Sequence, residues 1–113
     1  MDTRLRVGLV GVGAVAQVHL EAYRSLPQVE VVAAADPSAE RLATVVAREG
    51  LTGYDTVDAM LAAEQLDIAC VLTPTSAHEA TVLACARAGV HVLCEKPLSL
   101  SVDACGRMIA GCR

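Results

Sequence analysis

The chain contains no tryptophan and no phenylalanine, and Tyr23 and Tyr54 are its only aromatic residues of that class. No basic cluster makes up for this, and the formal net charge is -4. A surface without stacking side chains or a positive patch excludes nucleic-acid binding by charge and base stacking. Any phosphate held here has to be held by backbone amides. Although 54% of the residues are apolar, no apolar run approaches the roughly 20 residues of a membrane span, so no membrane partner is expected. The opening Met1-Asp2-Thr3-Arg4 lacks the basic region, long apolar core and small-residue cleavage site of a signal peptide, which leads to the expectation of a cytoplasmic protein. The five cysteines, Cys70, Cys85, Cys94, Cys105 and Cys112, include no CxxC pair and have no histidine at zinc-finger spacing. They read as small buried apolar residues, with no metal site and no disulfide.

Lysine is the scarcest charged residue. Eight of the nine basic residues are arginine and only Lys96 is not. An ammonium can give up its proton near neutrality and a guanidinium cannot, so Lys96 reads either as a lysine kept for its chemistry or as a surface residue kept by chance.

A length of 113 residues fits one domain, residues 1–113, with no room for a second of ordinary size. Arg4 to Val10 has a strand pattern, and Ala14 to Leu26 carries apolar residues at helical spacing until Pro27. Val29 to Ala35 is a near-continuous apolar run, as in a parallel strand covered on both faces. A second helix is predicted from Ser38 to Glu49, with Gly50 as a left-handed cap. Thr52 to Tyr54 is a short strand, Asp55 opens a third helix, and Asp67 to Thr73 is a fourth strand. Ser76-Ala77-His78-Glu79 has the form of a capping box, and its helix runs to Ala88 and Gly89. Val90 to Cys94 is a fifth strand, and Ser99 or Ser101 caps a last helix from Val102 to Cys112. Strands alternating with helices predict a doubly wound α/β domain with a parallel sheet of order 3-2-1-4-5. A sixth strand is the natural continuation, so the domain reads as incomplete, without a second α+β domain. No repeat, linker or low-complexity stretch interrupts the pattern.

Gly11-Val12-Gly13-Ala14-Val15-Ala16 is a GxGxxA turn between the first strand and first helix. Gly11 permits the tight turn, Gly13 lets backbone approach a pyrophosphate, and Ala16 is small enough for helix to pack on strand. Asp36 closes the second strand where a carboxylate accepts the adenosine ribose hydroxyls and repels a 2′-phosphate, favouring NAD over NADP. Arg41, one helical turn on, could offset that preference, and Asp36-Pro37 is also an ordinary turn pair. Thr73-Pro74-Thr75 and His78 follow the fourth strand, on the edge where open α/β sheets bind ligands. His78 reads equally as a cofactor contact and as a helix-terminal residue with local bonds, and is expected neutral beside the positive end of the helix. His19 reads as structural. Glu95-Lys96-Pro97 ends the fifth strand on the same edge.

Together, the glycine turn, Asp36, the Thr73-Pro74 loop with His78, the run Ala88-Gly89-Val90-His91-Val92-Leu93 and Glu95-Lys96-Pro97 resemble the Gfo/Idh/MocA family of glucose-fructose oxidoreductase, inositol dehydrogenase and rhizopine catabolism proteins. The resemblance covers the whole chain in order. It implies a Rossmann domain that binds NAD(H), with Gly11, Val12, Gly13, Ala14, Val15, Asp36, Arg41, Thr73, Pro74, Thr75, His78, Glu95, Lys96 and Pro97 along the cofactor. It implies that Lys96 stands near the nicotinamide and the reacting hydroxyl, and that a sugar, inositol or related polyol is the substrate of the full-length protein. Thr75 departs from the family's frequent asparagine. The second domain of that family supplies the substrate pocket and a subunit interface, so the isolated chain is expected to be non-catalytic and the protein a homo-oligomer. A non-catalytic dinucleotide-binding sensor of the same fold is the alternative, and the intact Lys96 argues against it. A methyltransferase with a similar glycine turn leaves Glu95-Lys96-Pro97 unaccounted for.

Overall fold

The computed structural model describes residues 4–113, so that Met1 to Thr3, part of the segment read for a leader, lie outside the described residues. Strands β1 (Leu5–Val10), β2 (Val29–Ala35), β3 (Thr52–Tyr54), β4 (Ile68–Val71) and β5 (His91–Cys94) alternate with helices α1 (Ala14–Arg24), α2 (Ala39–Glu49), α3 (Val57–Ala63), α4 (His78–Arg87) and α5 (Val102–Gly111). The sheet is parallel throughout, in the order β3-β2-β1-β4-β5. Chain direction across the sheet therefore reverses between β1 and β4, the switch point at which such sheets open a crevice.

The register brings the carboxyl ends of the strands level. Val10 lies beside both Ala35 and Val71, Ala35 beside Tyr54, and Val71 beside Cys94. The first residue beyond each of four strands then donates its amide to the last residue of a neighbour: Gly11 to Ala35, Asp36 to Tyr54, Leu72 to Val10 and Glu95 to Val71, at 2.7–3.1 Å. These extra rungs place the glycine turn, Asp36, the Thr73 loop and Glu95 along one edge.

Burial on both faces explains the continuous apolar strands. One core joins Val7, Leu9, Ala34 and Cys70 to Ala16 and Leu20 of α1 and Val45 of α2, and Met60 of α3 packs with Val10, Ala33 and Ala35 on the other face. Gly50 and Gly89 end α2 and the α4 segment with positive φ of 71° and 76°, conformations in which a Cβ is strained.

Local signals mislead in several places. Thr56, not Asp55, caps α3, accepting from the Ala59 amide. β4 is shorter than Asp67 to Thr73, because Asp67 turns its carboxylate onto the Arg6 amide and Thr73 leaves the sheet for the ligand edge. α1 closes at Arg24 rather than Leu26, with the Ser25 hydroxyl taking the Ala22 carbonyl. The capping box does not form. Thr75–Ala77 makes a 3₁₀ turn closed by Ala77 N–H to the Pro74 carbonyl, α4 has no side-chain cap, and Glu79 pairs instead with Arg107 of α5. Ser101 caps α5. Of the cysteines, Cys70 and Cys85 are buried, Cys94 and Cys105 half-buried, and Cys112 exposed, all as free thiols. No helix of the described residues is long and apolar enough to cross a membrane.

Leu9 of the central strand is fully buried and Leu100 is 85% exposed. Urea unfolding should report a loss of about 2–5 kcal/mol for Leu9→Ala and less than about 0.5 kcal/mol for Leu100→Ala. Equal losses would contradict this placement of the core.

Candidate functional site

Gly11 leaves β1 with a φ of 93°, and a Cβ there would lie 3.0 Å from the backbone of Leu72 and Thr73. Glycine is thus required by the protein itself. Gly13 differs: a Cβ would meet only the Arg41 guanidinium, at 3.7 Å. The space it leaves faces outward, and Gly13 is the N-cap of α1 without any side-chain cap. Among the described residues the amides of Ala14 and Val15 have no protein acceptor, which leaves the start of α1 able to hold an anion.

Asp36 is buried and fastens this turn. Its Oδ2 accepts the Val12 amide at 2.9 Å, while Oδ1 accepts the Ser38 amide at 2.7 Å and Arg41 Nη2 at 3.3 Å. Burial opposes the charge, but the two amides and the Arg41 guanidinium outweigh it and hold the carboxyl below its ordinary value. The turn reading of Asp36-Pro37 is therefore realised, and three of about four lone-pair positions on the carboxylate are used.

A cleft of about 550 Å³ opens at the switch point. Gly11, Gly13, Ala14, Val15, Asp36, Arg41, Thr73 and Pro74 all line it, as does Thr81 of α4, which no sequence signal had marked. Thr73 Oγ1 is buried without a hydrogen-bond partner. Val12 lies in an adjoining groove of about 460 Å³ with Gln17, Arg41, Thr44 and Arg48. The amides at the helix start, the missing Cβ at Gly13 and the orphaned Thr73 hydroxyl fit a dinucleotide, with its pyrophosphate at the turn.

The remaining residues stand apart. Thr75 belongs to the 3₁₀ turn and lies outside the cleft lining. His78 is 1% exposed, with Nε2 at 2.9 Å from the Thr73 carbonyl and Nδ1 at 3.0 Å from the Leu98 carbonyl. Both ring nitrogens lie within hydrogen-bond distance of backbone carbonyls, one 5 and one 20 residues away, so His78 braces the Thr73 loop against the segment after Pro97. Lys96 and Pro97 are exposed, and the ammonium of Lys96 has no ion pair among the described residues. Glu95 accepts from His19 Nε2 at 2.8 Å. That contact gives His19 a role at this edge which its place in α1 did not reveal. No cluster of three or more possible metal ligands occurs among the described residues.

Residues 5–113 match the family described as an oxidoreductase family with an NAD-binding Rossmann fold, GFO_IDH_MocA. The chain is similar to the rhizopine catabolism protein MocA of Rhizobium meliloti, 39% identical over 102 residues, covering 89% of this chain and 32% of that protein. It is 36% identical over 110 residues to D-apiose dehydrogenase of Paraburkholderia graminis, covering 96% of this chain and 29% of that protein. Its fold is similar to the WlbA dehydrogenase of Bordetella pertussis, solved with NADH and UDP-GlcNAcA, at a TM-score of 0.93 and 30% identity, covering 96% of this chain and 33% of that one. The chain thus spans about a third of the length of these relatives.

Because the folded Asp36 carboxyl binds its proton less readily than the ordinary value of 3.8, its contribution to stability is complete above about pH 4 and is lost as the pH falls through the folded value. Asp36→Asn should cost about 1–3 kcal/mol at pH 7, and the deficit should shrink in urea unfolding at pH 3 and below. A deficit that stays constant with pH would assign the loss to something other than the charge.

Proposed function

The chain belongs to the Gfo/Idh/MocA oxidoreductase family with an NAD-binding Rossmann fold, and we propose that it holds the nicotinamide cofactor for an enzyme that interconverts hydroxyl and carbonyl on a sugar, inositol or related polyol. The observation that carries this reading is the cleft in which the uncapped start of α1 lies between Asp36 and the unpartnered Thr73 hydroxyl. The bound cofactor supplies the acceptor for a hydride leaving the carbinol carbon. The amides of Ala14 and Val15 hold the pyrophosphate, and Thr73 Oγ1 donates or accepts on the same ligand. Arg41 is 58% exposed along its side chain and is the partner of Asp36 that a ribose hydroxyl can most easily displace. A 2′-phosphate would bring two negative charges beside Asp36, whose ion-pair partner among the described residues is Arg41, which supports NAD over NADP.

As a neutral amine Lys96 would take the hydroxyl proton as the hydride departs, becoming the ammonium, and as the ammonium it would return that proton in the reverse direction. The substrate pocket belongs, in this reading, to the length of the relatives that this chain does not cover. Association of copies is part of the same proposal and belongs, like the substrate pocket, to the length of the relatives that this chain does not cover.

Calorimetric titration of the chain should give NAD+ binding at least about tenfold tighter than NADP+, a difference of about 1.4 kcal/mol. Tighter NADP+ binding would remove the ribose role of Asp36, and binding of neither would remove the cofactor role. In the full-length enzyme, Lys96→Arg should leave NAD+ affinity within about twofold and lower kcat by roughly 10²- to 10⁴-fold. Undiminished turnover would exclude Lys96 as the proton acceptor.

A further inference from the structure

We propose that His19 is a positioning residue for Lys96: from α1 it anchors the Glu95 carboxylate, and that carboxylate holds the backbone amide of Lys96. What Lys96 does rests on the functional reading above; how it is held does not.

The two oxygens of Glu95 have separate duties. Oε2 accepts from His19 Nε2 at 2.8 Å, across 76 residues of sequence, and Oε1 accepts the Lys96 N–H at 3.2 Å. A fully exposed contact of this kind would contribute little, but this one is half-covered, with His19 22% and Glu95 33% exposed along their side chains. The ring is also gripped from behind. His19 Nδ1 lies 3.7 Å from Cys70 Sγ, and Cys70 is fully buried in β4. Burial first, and the nearby Glu95 charge as well, push that thiol up, so it keeps its proton at neutral pH. A carboxylate can only accept, so the Glu95 contact places a ring proton on Nε2. Glu95 in turn is held below its ordinary value by the His19 bond first and the Lys96 amide second. The other titratable groups around the contact, Tyr23, Cys70 and Cys94, are all pushed up and stay neutral, and Lys96 adds to the lowering of Glu95.

His19 and the phosphate-binding start of α1 share one helix. The brace therefore ties the glycine turn to Lys96 across the carboxyl ends of β1, β4 and β5. Without it, Lys96 stands on an exposed turn with no ion pair of its own among the described residues.

The test is nuclear magnetic resonance on the 113-residue chain, comparing the unaltered protein with His19→Leu and His19→Gln. In His19→Leu, the Lys96 amide should exchange about tenfold faster, and the Glu95 carboxyl should titrate closer to the ordinary 4.5. Amides of β1 and β4 should change by less than about twofold, and His19→Gln, which keeps an N–H donor, should restore most of both effects. An unchanged Lys96 amide and Glu95 titration, or no rescue by glutamine, would overturn the proposal. If the leucine variant does not fold, the ring ¹⁵N shifts of the unaltered chain decide: an Nε2–H tautomer supports the brace and an Nδ1–H tautomer overturns it. Protection of Lys96 from acetylation by NAD+ is a separate readout, and its absence would strike at the cofactor role while leaving the brace standing.

Discussion

A buried carboxylate with no amides to meet would be among the most costly groups this domain could contain. Asp36 is tolerated because the second strand ends one residue before it and the glycine turn delivers the Val12 amide to it at 2.9 Å. The dependence runs both ways. Removing the positive φ at Gly11 would carry Val12 away and strand the charge, while removing the charge would leave a glycine-rich turn with little to hold its shape. Ser38 and Arg41 close the other oxygen, so the start of α2 is set by the same group. Two helix starts and two strand ends thus share one anchor at the point where the sheet reverses direction.

The level strand ends turn this local anchor into an extended edge. Each additional rung, from Gly11 to Ala35 through Glu95 to Val71, makes the position of one loop depend on the strand beside it. Chemistry-bearing residues therefore need no direct contact with one another to be placed. Thr73 is fixed by the Leu72 rung and by the His78 ring, and Glu95 by its own rung and by His19. His78 and His19 do parallel work: each is a ring on a helix that reaches a loop at the carboxyl edge, one binding carbonyls and the other a carboxylate.

Much of this was legible in the sequence because it rests on short-range physics. The apolar run Val29 to Ala35 and the segment Thr52 to Tyr54 are strands with the same bounds in the structure, since continuous apolar residues between turn formers have few alternatives in a parallel sheet. Gly50 and Gly89 end helical segments for the steric reason their positions suggest. The capping box failed because Pro74 and a 3₁₀ turn satisfied the backbone first, releasing Glu79 for a partner 28 residues away. His19 was read as structural, but its partner was hidden for the same reason on a larger scale: Glu95 is 76 residues distant, and a half-buried ring on a helix has no local pattern to distinguish packing from a bond. Lys96 was placed on the correct edge, but the sequence could not tell that it lies outside the cleft lined by the glycine turn.

That separation bears on how such a domain divides its work. In the proposed reading, cofactor binding rests on groups held by the fold: backbone amides, a buried carboxylate and a loop braced by a buried ring. Proton transfer needs a group that can change its charge and its reach, and Lys96 is an exposed side chain on a flexible stem. Putting it inside the cleft would set an ammonium beside a cationic nicotinamide permanently. Holding only its backbone, through Glu95 and His19, would fix where the stem begins and leave the amine free to approach a substrate hydroxyl in the proposed full-length enzyme. The rigid part of the edge would then set the affinity for the cofactor, while the braced but mobile lysine would set the rate.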